Sequence, residues 1–237
     1  MENQFNLEGG AFSKELTREF FKKVYAYMGL ALLVSGGVAY YFAQNPALFA
    51  NLFLTESGIS PVFYVVVFAP VGLALLIQMK AQSFSIPVLM ALFLLYSALM
   101  GASLSTIFFQ YSMAMIAQTF FVSAGAFGGM AILGYTTKTD LTKMGSLLYM
   151  VFIGMFIASI VNIFMKSADL SWGISFLGVF VFTGLTAYWM QQLKSTASNP
   201  MLSGVERDKL ALIGGLNLYI LFVNLFLSLL RLFGSRD

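Results

Sequence analysis

The sequence predicts an all-α integral membrane protein with seven transmembrane helices, and three observations carry that prediction. The 237 residues are 59% apolar and only 10% charged, against roughly 25% charged in soluble domains. So few ions cannot cover a water-facing surface of this size, whereas lipid is itself an apolar solvent. Apolar runs near the roughly 20 residues needed to cross about 30 Å of hydrocarbon recur seven times. Lysine and arginine concentrate in alternate loops.

In chain order the spans are expected at residues 24–43, 61–79, 85–109, 113–135, 146–165, 172–191 and 210–233. Residues 1–23 form an N-terminal segment on the cytoplasmic side, 24–233 the transmembrane domain, and 234–237 a short tail. The longest connections, 44–60 and 192–209, are too short for a soluble domain. Pro61 and Pro87 fit the first helical turn, where a missing N–H costs nothing. Pro70 lies inside span two and is expected to kink it, either for packing or as a gating hinge. The first twenty residues lack the apolar core of a signal peptide.

With the N-terminus cytoplasmic, Lys14, Arg18, Lys22, Lys23, Lys80, Lys138, Lys143, Lys194, Arg207 and Lys209 share one side. Lys166, Arg231 and Arg236 lie on the other. That asymmetry favours a cytoplasmic N-terminus and an outer C-terminus. Six spans and a re-entrant segment form the alternative topology. Small residues recur at helix-packing spacing as Ser97/Gly101/Ser105, Gly125/Gly129 and Gly154/Ala158/Asn162, which predicts close helix approach.

Histidine and cysteine are absent. No disulfide, zinc-thiolate site, cysteine nucleophile or histidine base can form. All ten acids fall in loops or tails, leaving the spans without a carboxylate for proton relay. No catalytic residue, cofactor or metal site is expected, and an enzyme is disfavoured. A net charge of +3 spread over loops offers no nucleic-acid footprint. The partner these features point to is the bilayer.

Polar groups inside the spans are few. Asn217, Asn224 and Ser228 share a face of span seven, interrupted by Leu221. Lipid-exposed amides are unfavourable, so span seven should be central. Thr183, Thr186 and Gln191 lie toward the end of span six. These groups either bond between helices or line a polar cavity among spans two, six and seven. Lys80, ending span two, is expected to snorkel to cytoplasmic water.

Five segments resemble the Bax-inhibitor family, which includes lifeguard and YccA-type membrane proteins. They are 25–41 (YAYMGLALLVSGGVAYY), 95–106 (LYSALMGASLST), 134–141 (GYTTKTDL), 184–194 (GLTAYWMQQLK) and 216–234 (LNLYILFVNLFLSLLRLFG). The resemblance runs from about Phe20 onward, with GYTTKTDL the most specific element. It implies six helices around a central C-terminal one. It also implies calcium leak across membranes, roles in cell-death or stress regulation in eukaryotes, and interplay with membrane proteases in bacteria.

One departure stands out. The family pattern in span six reads Tyr-Asp-Thr-Gln, where this chain has Tyr188, Trp189, Met190 and Gln191. In span seven it reads Leu-Tyr-Leu-Asp-Phe-Ile-Asn, where this chain has Leu221 at the acid's place. In the family the two aspartates form a hydrogen-bonded pair proposed as a pH-sensing latch, with a base at the place of Lys80. This chain keeps the base and lacks both acids. An apolar plug of Trp189 against Leu221 or its neighbours is expected there. The functional expectation is a calcium leak with weak or pH-insensitive conduction, in a bacterial inner membrane. The alternative is a non-conducting regulator that binds other membrane proteins, such as a protease or a stress-response partner.

Overall fold

The protein is described from a computed structural model, covering the backbone of residues 2–56 and 58–234 and the side chains of 14–56 and 58–234. Eight α-helices and a two-stranded hairpin follow one another: α1 (Glu2–Gln44), α2 (Pro46–Phe53), β1 (Leu54–Thr55), β2 (Gly58–Ile59), α3 (Pro61–Lys80), α4 (Ile86–Leu104), α5 (Met113–Thr136), α6 (Thr142–Met165), α7 (Ala168–Ala197) and α8 (Gly204–Phe233). A 3-10 segment, Ser105–Phe109, extends α4. Seven of these segments are long and apolar enough to cross a membrane, matching the seven expected spans.

Several helices overrun the apolar stretches that define them. α1 has 43 residues, about 65 Å at 1.5 Å per residue, twice the hydrocarbon thickness. It begins well inside the segment 1–23 and already buries Phe20 to 1% exposure. α7 and α8 each run to 30 residues. Span seven is therefore long enough to cross fully, without a re-entrant turn. The connection 44–60 is also structured. α2 fills its first half, and the short hairpin pairs Leu54 with Ile59 and Thr55 with Gly58. Gly58 takes φ 129°, a conformation open to glycine and little else.

The chain forms two compact units, and each takes part of α8. The first comprises residues 1–110 and 197–219. Its α4 docks on α1 through Gly101, where an added Cβ would lie 2.5 Å from the Ser35 carbonyl and 2.8 Å from the Val38 Cβ. Ser97 and Ser105 are fully buried on the same ridge. α8 enters this unit over Gly215, against Tyr27 and the Val24 carbonyl. Tyr219 is buried edge-on to Tyr96 at 5.9 Å. At the polar end, Lys23 pairs with Asp208 at 2.5 Å.

Pro70 has a specific accommodation here. α3 runs through it as continuous helix, although proline cannot donate to the carbonyl four residues back. That carbonyl belongs to Val66, and the Ser103 hydroxyl of α4 donates to it at 3.0 Å. A neighbouring helix thus satisfies the backbone group that proline orphans, as lipid requires. Pro70 is itself buried.

The second unit comprises residues 111–196 and 220–237. α5 meets the far half of α8 through rings, with Phe222 5.3 Å from Phe120 and 5.6 Å from Phe127. α7 is clamped by glycines. Gly134 of α5 sits on the Ala187 backbone, Gly145 of α6 under the Tyr188 ring, and Gly178 of α7 against Ser228. The expected ridges Gly125/Gly129 and Gly154 behave differently: a Cβ added at any of them meets nothing within 4 Å. Their spacing signals a face free of bulk, and no described residue lies against it at these glycines. α8 is the most enclosed span, with 72% of its most apolar window buried against at most 39% elsewhere.

Candidate functional site

Trp189 and Leu221, where the resemblance places the family's acids, both fall in the second unit. Leu221 is buried, at 5% exposure. Trp189 is half-buried on α7. Its indole N–H donates to the Tyr149 hydroxyl of α6 at 2.5 Å. To the expected plug of Trp189 against Leu221 or its neighbours the structure adds a polar anchor, the hydrogen bond to α6. An indole N–H buried among apolar chains needs an acceptor, and aliphatic Leu221 offers none. Tyr149 was missed in the sequence, although depth would have found it. It lies seven residues into α6 and Trp189 eight residues before the end of α7, so both sit about 10–12 Å from that end. Tyr188 completes an aromatic cluster, edge-on to Tyr149 at 6.2 Å.

Immediately beyond, α7 locks the GYTTKTDL turn. Gln191 Oε1 accepts from the Leu141 N–H at 2.9 Å, and its Nε2 donates to the Thr139 carbonyl at 2.8 Å. The Lys194 ammonium donates to the Tyr135 carbonyl at 2.7 Å and lies 4.8 Å from that ring's centre. Asp140 accepts from the Thr142 N–H at 2.9 Å, closing the start of α6. Hydrogen bonding by the Thr142 side chain and then its backbone holds the Asp140 carboxyl below its ordinary range. That contribution to the turn is present at neutral pH and is lost as pH falls through the lowered value. GYTTKTDL is thus a built turn: Gly134 allows α7 to approach, and Gln191 reads two backbone groups at once.

Lys80 ends α3 in the first unit and is exposed. A cation in the last helical turn complements the carbonyl end of the helix. The polar face of α8 is satisfied locally. Asn224 Nδ2 donates to the Ile220 carbonyl at 2.8 Å, and Ser228 Oγ to the Asn224 carbonyl at 2.8 Å. These bonds stay inside one helix, where bonds between helices were one expectation. Asn217 is buried at 6% exposure, and its Nδ2 has no partner among the described residues. The cavity that Asn224 and Ser228 line lies among α6, α7 and α8, with Ser159 and Ser175 also in its wall.

Comparison with known proteins agrees with this architecture. A family model described as "Inhibitor of apoptosis-promoting Bax1" matches residues 17–237. The chain is 42% identical over 219 residues to the inner membrane protein YbhL of Escherichia coli strain K12, covering 92% of each chain. It is 41% identical over 221 residues to an uncharacterized protein of Borreliella burgdorferi, covering 93% of this chain and 94% of that one. A Caulobacter vibrioides protein is 42% identical over 226 residues, covering 92% and 89%. With seven apolar helices, the GYTTKTDL turn read by Gln191, and a family match over nearly its whole length, the chain is an integral membrane protein of the Bax-inhibitor family.

Proposed function

We propose that this protein is a calcium leak of the Bax-inhibitor type whose conduction is weak and does not follow the titration of a carboxylate pair. The observation that supports the reading is an indole held by the Tyr149 hydroxyl and a buried leucine, Trp189 and Leu221, at the two positions where the family resemblance places the latch acids. A carboxylate pair changes charge with pH and binds divalent cations; an indole and an isobutyl group do neither. The kinship with an inner membrane protein supports the bacterial inner membrane as its location, and no catalytic chemistry is assigned to it.

Calcium flux through protein in liposomes, followed from about pH 5 to 8 to bracket carboxylates raised by burial, tests this. The unmodified protein should give small flux with a flat pH profile. Trp189→Asp with Leu221→Asp should introduce an acid-dependent response. Strong, acid-titrated flux in the unmodified protein would overturn the reading.

The second reading, a non-conducting regulator that binds other membrane proteins, is favoured by the open faces at Gly125, Gly129 and Gly154. Small residues let the backbone of another transmembrane helix approach closely. Flux indistinguishable from protein-free liposomes at every pH would favour it.

A cytoplasmic N-terminus and outer C-terminus follow from ten cations against three. Single cysteines replacing Ser83 and Ser198 should label from the cytoplasm, and those replacing Ser57 and Ser235 from outside. The last two lie outside the described residues, so labelling decides their side. A cytoplasmic Ser235 would exclude the seven-span topology.

A further inference from the structure

The side of the protein poor in positive charge carries Lys166, Arg231 and Arg236. Arg236 lies outside the described residues. The other two come from different elements, the end of α6 and the last turn of α8, and both line one cavity of about 560 Å³. Cations are disfavoured on the outer side of a membrane protein, and two of the three converging on a single cavity calls for a reason. The remaining wall is polar, with Asn162, Ser167 and Ser171. Among the described residues no carboxylate lines it, and Asp169, next to the lining Ala168, lies in the first turn of α7.

The turn bearing Lys166 is held firmly. Lys166 has φ 51°, uncommon for a residue with a side chain. Asn162 Oδ1 accepts from the Ser167 N–H at 3.0 Å, and Ser167 Oγ accepts from the Leu170 N–H at 3.2 Å. Ser175 and Arg231 are shared with a second, narrower cavity of about 120 Å³ that continues between α6, α7 and α8. Its walls turn apolar, with Met155, Phe156, Ile174, Phe182 and Leu227. At the mouth Trp172 lines the wide cavity and stacks on Phe176 at 5.3 Å, followed by Phe180 at 5.1 Å. All three rings are exposed on the surface of α7, and a tryptophan ahead of such a stripe marks the headgroup level of a bilayer.

A polar mouth with two cations, opening into an apolar crevice at headgroup depth, matches one chemical class. We propose that this cavity binds an anionic phospholipid, with its phosphate between Lys166 and Arg231, its polar headgroup against Ser167 and Ser171, and one acyl chain entering the crevice past Ser175. Two cations at headgroup depth attract an anionic headgroup by simple charge complementarity, whichever leaflet carries it. The lining includes neither Trp189 nor Leu221, and the proposal does not depend on whether the protein conducts.

Native mass spectrometry of the detergent-purified full chain with equimolar phosphatidylglycerol and phosphatidylcholine tests the proposal. One phosphatidylglycerol should be retained per chain in preference to phosphatidylcholine. Lys166→Gln should weaken that association about fivefold, and Lys166→Gln with Arg231→Gln about thirtyfold. Lys166 is exposed at a turn, so its single replacement keeps the fold even if the pair does not. Lys138→Gln with Lys143→Gln removes equal charge elsewhere and should leave retention unchanged. Three results would overturn the proposal: equal retention of both lipids, equal loss in the Lys138/Lys143 control, or competition by free glycerol phosphate as effective as by the lipid. The last would show a soluble-anion site instead.

Discussion

Gly134→Val is expected to unfold the second unit or abolish its accumulation in the membrane. A Cβ at residue 134 would overlap the carbonyl group and Cα of Ala187. Both sides of this contact are backbone, so no rotamer change can relieve it, and α5 would have to move away from α7. Overpacking typically costs about 1–3 kcal/mol where side chains can shift; here the cost should reach or exceed the top of that range. Displacing α7 would also pull Gln191 from Leu141 and Thr139, exposing backbone groups the turn had satisfied. Gly125→Val and Gly129→Val serve as controls, because a Cβ at either meets nothing within 4 Å. Thermal unfolding in detergent should show a large loss for Gly134→Val and shifts within about 0.5 kcal/mol, the usual surface range, for the controls. Equal loss in all three would mean that glycine acts through helix flexibility and not through close approach.

Leu221→Asp is expected to be the most destabilising single change at the latch positions. Residue 221 is 5% exposed, beside Phe222 and Leu225, both also buried. Placing an acid at mid-helix in a membrane costs roughly 2.5–3.5 kcal/mol, and losing a packed leucine adds roughly 2–5 kcal/mol when truncated to alanine. Leu221→Ala reports the packing loss alone, so the difference between the two variants isolates the acid. Trp189→Asp should cost less, because the indole is only half-buried. It nevertheless leaves the Tyr149 hydroxyl without its donor. The double Asp variant should lose less than the two single variants added together, provided the carboxyl groups pair as the family resemblance implies. Strict additivity in unfolding experiments would show that the positions do not meet, and the expected gain of acid-dependent flux would fall with it.

The seven crossings were legible because they are written in composition. A run of about 20 apolar residues has few alternatives to crossing, and all seven predicted runs coincide with helices. Helix ends were less legible. The charged flanks of α1, α7 and α8 continue the helix, since nothing in water stops a sequence of good helix formers. At the candidate site the residue positions were readable and their partners were not. Asn224 and Ser228 could be placed on one face, but an amide or hydroxyl in a helix chooses between a neighbouring helix and the carbonyl four residues back. Here the local choice prevails.

What the sequence by itself determined is the solvent this chain is built for, the number of its spans, its family, and the absence of histidine and cysteine. Each of these depends on which residues are present and how far apart they lie along the chain. Only the tertiary structure decided that Tyr149 receives the Trp189 indole, that Ser103 satisfies the carbonyl orphaned by Pro70, and that Gly134 packs on Ala187 while Gly125 faces open space. The physical reason is common to all three. Glycines look alike in sequence, and a donor or acceptor carries no mark of its partner. The rotation of each helix about its own axis, set by packing over its whole length, selects which groups meet.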